Sequence, residues 1–296
     1  MKHFYEICTL LILVAIVASY AARANSSIAA AVLIEEHVYG GLPVSAAPAY
    51  ETIFTRTAYI VCYNSQQRVP EWVAYHITPD YLNTPQRDGR FKSFYEDPGV
   101  DNPVKPLDYE GLFDNPAKGY VRGHLAPYKI AGGDRDGDGL YANLDPSKSD
   151  NYDEDTIREI NYMSNVVPQY REFNEFGLWR ELEAKIQNDW VSDRGMDLWI
   201  IAGCVLGLGS FDVVGPESNI QVPAMLYKIV LKKTPNPLIL AFLFPQQREK
   251  HGHIEDFLVS VDAIEALTGI DFFPSLRDST QAAVERKDTF LNWRCF

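Results

Sequence analysis

The chain has 296 residues, 46% of them hydrophobic and 23% charged, with 27 Lys and Arg against 40 Asp and Glu. That composition can bury a sizeable core as one large domain or two small ones, and it argues against intrinsic disorder. A net charge of −13 also argues against a surface that is basic throughout, so contact with a polyanion must come from a local basic groove or bound divalent cations.

Residues 1–24 stand apart from the rest. Lys2 gives a short positive end, Leu11 to Val17 an apolar run, and Ala22-Arg23-Ala24 a small-x-small cleavage site, the pattern of a signal peptide. The alternative is an uncleaved anchor, because the apolar run from Ile7 to Ala22 is only slightly short of a membrane span. Either way the domain is expected to leave the cytosol, secreted to the extracellular space or the periplasm. After cleavage no stable membrane association is expected, and loss of Lys2, Glu6 and Arg23 leaves a net charge of about −14. Residues 25–50, rich in Ala, Ser and Gly with a turn-like Gly40-Gly-Leu-Pro43, predict a linker or loosely attached arm, and the domain proper is expected over 51–296.

Tyr59 to Tyr63 and Glu71 to His76 are β-rich runs separated by a turn-like stretch from Asn64 to Pro70, predicting a hairpin or adjacent strands. Residues 78–120 are dense in Pro, Asp, Asn and Gly and predict a long irregular loop, uncommon in a compact domain unless functional. It leads directly into Val121-Arg-Gly-His-Leu-Ala-Pro127. A helix is predicted over about Gly177 to Val191, where Leu178, Trp179, Leu182, Ile186 and Trp190 recur at helical spacing. Buried strands are predicted at Asp197 to Ala202, Leu226 to Leu231 and Leu238 to Phe244, then a short helix at Val261 to Leu267 stopped by Gly269. Strands predominate, so the predicted class is α+β with a mainly antiparallel β-sheet core. Of the cysteines remaining after cleavage, Cys62, Cys204 and Cys295, one pair could form a disulfide and leave one thiol; the spacing does not choose the pair.

Phosphodiester hydrolysis needs a base to activate water and positive charge on the developing pentacovalent phosphate. Arg122 and His124 supply both types, and Gly123 between them allows close backbone approach. Alone, Arg-Gly-His is more often a surface turn. A second element, Asn161-Tyr-Met-Ser-Asn165-Val-Val-Pro-Gln169, runs through Phe173-Asn174 into the helix bearing Trp179, Leu182 and Glu183.

With both elements in place the sequence resembles the DNA/RNA non-specific endonucleases, the ββα-metal nucleases, whose pattern is DRGHxxP, SNxxPQ, then an Asn before a helix containing WxxLE. The resemblance covers roughly 230 residues from about Tyr59. It implies a ββα-metal motif with one long active-site helix, DNA and RNA as substrates, and Mg²⁺ or Mn²⁺ as cofactor. It further implies His124 as general base, Asn174 as direct metal ligand and Glu183 as an outer-shell carboxylate holding metal-bound water. Arg122 would lie near the scissile phosphate, and Asn165 at the site edge, supporting His124 or the metal shell. A single amide ligand suits Mg²⁺, which keeps several waters. Two departures stand out: Val121 replaces the family's Asp, and Asn174 and Glu183 are one residue further apart than usual, with Gly177 the expected place for the extra residue and Glu181 the fallback carboxylate.

Between the two elements, Asp134 to Asp145 has calcium-loop spacing: Asp134, Asp136 and Asp138 at positions 1, 3 and 5, Gly139 at 6, Leu140 offering its carbonyl at 7, and Asp145 at 12. Structural Ca²⁺ is preferred to a plain acidic turn, although no flanking helices are evident. His76, His251 and His253 are expected to be packing or surface residues. The expected function is a secreted endonuclease of little sequence preference that leaves 5′-phosphate ends. The alternatives are a secreted calcium- or nucleic-acid-binding protein on a degenerate nuclease scaffold, and a narrower phosphodiesterase.

Overall fold

The computed structural model describes residues 27–114, 119–135, 152–206, 212–215, 219–235 and 237–276. The expected signal peptide, Cys295, and Asp136, Asp138, Leu140 and Asp145 of the expected calcium loop lie outside the described residues.

The stretch expected as a loose arm is ordered where it is described. A helix, α1, covers 27–37, and β1 (Val44–Ser45) follows it. The hairpin region then gives β2 (Glu51–Arg56), β3 (Tyr59–Asn64) and β4 (Val69–Ile77). After the long loop come β5 (Tyr120–His124), α2 (Glu154–Ile160), β6 (Val166–Tyr170) and α3 (Leu178–Ala184). The remainder comprises β7 (Leu198–Val205), β8 (Val213–Val214), β9 (Ile220–Gln221), β10 (Met225–Lys232), β11 (Leu238–Pro245), β12 (Leu258–Val259), α4 (Val261–Thr268) and β13 (Ile270–Asp271).

Seven strands form the main sheet in the order β12-β11-β10-β7-β4-β3-β2, with every neighbouring pair antiparallel. Its central strands read as unbroken apolar runs because both faces are covered. Side chains alternate across a strand, so Val73, Tyr75, Ile200 and Val230 enter one core while Trp72, Ala74, Ile201 and Ile229 enter another on the opposite face. The second core is closed by α4 and by the end of α1 with Val38, so the described part of the expected arm packs on the sheet: Trp199 donates its indole N–H to the Glu36 carbonyl, and the Glu36 carboxylate accepts from Tyr81. Cys62 belongs to the second core and Cys204 to the first. Both are buried free thiols, and the sheet separates them.

The two-stranded unit β5-β6 and helix α3 lie on the first face. Leu178, Trp179 and Leu182 of α3, with Ile186 and Trp190 beyond it, are buried against the sheet. Each contributes about 1.5–3 kcal/mol of apolar burial, which holds a helix that would be marginal alone. A π-helical turn, Glu172–Phe176, precedes α3, and another, Lys185–Asp193, continues it. Asn174 lies in this entry turn, the kind of turn by which a helix accommodates an extra residue. Gly177 ends it, in a place where a Cβ would come within 2.8 Å of the Phe173 backbone.

Candidate active site

Strand β5 pairs with β6 so that Val121 faces Gln169, Gly123 faces Val167 and His124 faces Val166. A Cβ on Gly123 would lie 2.3 Å from the Gln169 side chain. The glycine therefore lets that side chain cross the strand and reach Asn174, whose Nδ2 donates to Gln169 Oε1 at 2.7 Å. This leaves Asn174 Oδ1 as the atom available to a cation. Asn165 is fully buried and does not edge the cavity. Its Oδ1 accepts from the Ala126 N–H, and its Nδ2 donates to the carbonyls of Ala126 and Ile160, all at 2.9 Å, so it fixes the chain just beyond His124.

His124 is 8% exposed, with its Nε2 3.2 Å from Asn161 Oδ1. The Asn161 Nδ2 donates to the carbonyls of Ile157 at 3.0 Å and Phe91 at 3.5 Å. Its oxygen, which also faces Arg87 Nη2 at 3.4 Å, can only accept, so His124 Nε2 carries the hydrogen and donates, leaving Nδ1 as the basic nitrogen. Burial pushes the imidazole pKa down to about 3, aided by the positive charges of Arg87 and Arg122 and opposed by the Asn161 hydrogen bond. His124 is consequently neutral at physiological pH. Phe94 stacks on its ring at a centroid distance of 5.0 Å, and the guanidinium groups of Arg122 and Arg87 lie 4.5 Å and 4.8 Å from the Phe94 centroid.

A cavity of about 480 Å³ brings His124, Asn174 and Glu183 together, with Arg87, Lys129 and Arg180 also on its wall. These three cations face two carboxylates on the wall, Glu183 and Asp88. Glu183 is backed by Lys228 of β10, which is completely buried, with Nζ 3.3 Å from Glu183 Oε1 and 4.1 Å from the Trp179 centroid. Burial lowers the lysine pKa, and Glu183 works against that. Glu181, the fallback, points elsewhere, to Lys250 at 2.6 Å. Arg122 does not line the His124 cavity; with Val121 it lines a neighbouring depression.

No three His, Cys, Asp or Glu side chains gather as a metal cage among the described residues. One amide oxygen and one carboxylate at an open cavity fit a hard divalent cation that keeps most of its waters, and do not fit the N/S shell of zinc. Asp134 is described, and the adjoining Arg135 ties the start of the acidic segment down: its N–H donates to Asp153, and its guanidinium to the Gly132 and Ile130 carbonyls. His76 is a core residue stacked on Trp199, and His251 and His253 are exposed. Arg87, Phe94, Asn161 and Lys228 were not singled out from the sequence. Asn161 opens the second motif and could have been found by its place there; the others come from an irregular loop and from an apolar strand, where no periodicity marks them.

The chain matches the sequence pattern of the DNA/RNA non-specific endonucleases over residues 43–279. It is 30% identical over 237 residues to the mitochondrial nuclease EXOG of Mus musculus, a match covering 74% of this chain and 56% of that protein. A nuclease of Serratia marcescens is 30% identical over 244 residues, covering 80% of each chain. The chain thus spans little more than half the length of EXOG and most of the bacterial relative. A solved structure of an EndoG/EndoGI complex matches with a TM-score of 0.61 at 20% identity, covering 79% of this chain and 90% of that chain, which shows a shared α+β fold.

Proposed function

Because the chain belongs to the DNA/RNA non-specific endonuclease family, we propose that it is a divalent-metal-dependent hydrolase of phosphodiester bonds in DNA and RNA, with little sequence preference. The observation that carries this reading is the common cavity of His124, Asn174 and Glu183. His124 Nδ1 takes the proton of the attacking water, while Asn161 holds the opposite edge of the ring. Arg87, with Arg180 and Lys129 on the same wall, receives the phosphate and matches its growing charge. Asn174 Oδ1 and, through water, Glu183 would hold Mg²⁺ or Mn²⁺, which would polarise the phosphate and stabilise the leaving 3′ oxygen. In-line attack with 3′-oxygen departure leaves a 5′-phosphate end.

The same reading places the mature protein outside the cytosol with residues 1–24 removed, so N-terminal sequencing of the exported protein should begin at Asn25. It also keeps structural calcium for the acidic segment 134–145, which calcium addition should register as a rise in Tm without supporting cleavage. The central test is digestion of plasmid and RNA by wild type and His124→Ala with EDTA, Mg²⁺, Mn²⁺ or Ca²⁺. His124→Ala should lose about 10²–10⁴-fold in rate with its circular dichroism unchanged. Undiminished cleavage by a pure variant would overturn the assignment.

A further inference from the structure

Beside the His124 cavity, on the far side of Arg122, lies a depression of about 320 Å³ whose wall includes Phe113, Tyr120, Val121, Arg122 and Arg171. Arg122 ties the two together, because its guanidinium rests on the same Phe94 ring that stacks on His124. Large rings are expensive to leave in water, and most of the described phenylalanines are not left there. Phe113 is 45% exposed and Phe176 is 69% exposed, the two most exposed phenylalanines among the described residues. Both flank one cation: the Arg171 guanidinium is 4.6 Å from the Phe113 centroid and 5.6 Å from that of Phe176. Arg171 is held in place by Glu175, Nε to Oε2 at 2.8 Å. Behind them Tyr120 and Tyr170 stack at 4.6 Å, with Arg248 4.9 Å from the Tyr170 centroid.

We propose that this depression is a subsite for an unpaired nucleotide of the substrate strand, its base stacked on Phe113 or Phe176 and its phosphate on Arg171 and Arg122. Interleaved exposed rings and guanidinium groups match the alternation of flat base and phosphate in a single strand. In a duplex each base face is already covered by its neighbours, so the rings have nothing to stack on. Three arginines, Arg122, Arg171 and Arg248, against two carboxylates, Glu175 and the Asp212 that accepts from Tyr120 Oη at 2.9 Å, also reverse, locally, the sign of a chain with net charge −13. Val121 belongs to this wall, where an acidic side chain would set a carboxylate against the strand's phosphates. The inference rests on the nuclease reading, and its test separates the two.

The test uses the whole chain, with Phe113→Ala/Phe176→Ala and Phe113→Trp/Phe176→Trp compared with wild type. Affinity is read in EDTA for a fluorescent 12-nucleotide oligothymidylate and for a duplex of the same length, and turnover with metal on bis(p-nitrophenyl) phosphate. The alanine variant should lose at least about ten-fold in single-strand affinity, with duplex affinity within about two-fold and small-diester turnover unchanged; the tryptophan variant should keep its affinity. Equal losses on single strand and duplex, or no loss on either, would overturn the subsite. A change in sedimentation with no change in affinity would likewise overturn it and assign the rings to a contact between copies of the chain. Wild type that cleaves no substrate would instead strike at the nuclease reading, which the EDTA binding arm does not depend on.

Discussion

Asn161 gives its amide protons to two backbone carbonyls, and that small fact decides which nitrogen of His124 is basic. The proton affinity of that nitrogen is set by burial and by Arg87 and Arg122. A phosphodiester bound in the cavity pairs with Arg87 and cancels part of its effect, raising the pKa from about 3 towards the working range of a base. The acid limb of kcat/KM, which reports free enzyme, should therefore lie below the ordinary imidazole value of 6.5, and the acid limb of kcat should lie above that of kcat/KM. Coincident limbs near 6.5 in the two pH profiles would contradict the geometry. Lys228 makes the second prediction at this scale. Lys228→Met leaves Glu183 without its cation and should cost about 3 kcal/mol by urea unfolding, whereas Lys228→Met/Glu183→Leu should recover most of that stability and remain inactive. The sequence pattern singled out His124, Asn174 and Glu183 by residue type and spacing, and the fold brings all three to one cavity. Lys228 was hidden because a lysine in an apolar strand looks like a surface residue until the sheet's second face is known to be covered.

The elements differ in how legible they were for one reason, the range of the interactions that define them. The strands carry their signal in their own residues, and α3 carries its apolar stripe. The helix at 27–37 carries little, since its stability comes from partners far along the chain, Tyr81, His76 and Trp199. The π turn Glu172–Phe176 carries no periodicity of its own by which the sequence could mark it. The docking of α1 depends on pH. The His76 hydrogen bond, with help from Tyr81 and against burial, holds the Glu36 carboxyl down at about 2. A depressed carboxyl contributes stability above its unfolded pKa and loses it as pH falls towards the folded value. Glu36→Gln should therefore lower Tm at pH 7, and its deficit against wild type should shrink between about pH 4.5 and 2. A deficit that is constant across that range would place the effect elsewhere.

At the scale of the whole molecule, strand order was not readable, because antiparallel strands buried on both faces carry no mark of which neighbour they choose. Charge was readable in total and misleading in detail. An acidic body with three cations at the His124 cavity and Arg122 and Arg171 at the depression beside it should bind a single strand through no more than about five phosphate contacts, giving a slope of log K against log salt of about −3 to −4 in EDTA titrations. A slope near −8 would contradict that count of phosphate contacts.

The sheet that separates Cys62 from Cys204 also makes each thiol a witness to one half of the molecule. A thiol reagent reaches Cys62 only when the second core opens, and Cys204 only when the first does. Labelling rates at the two positions, measured in one sample, would report which half opens first and at what free energy. Addition of divalent cation should then slow one clock and leave the other running, provided the two halves open independently.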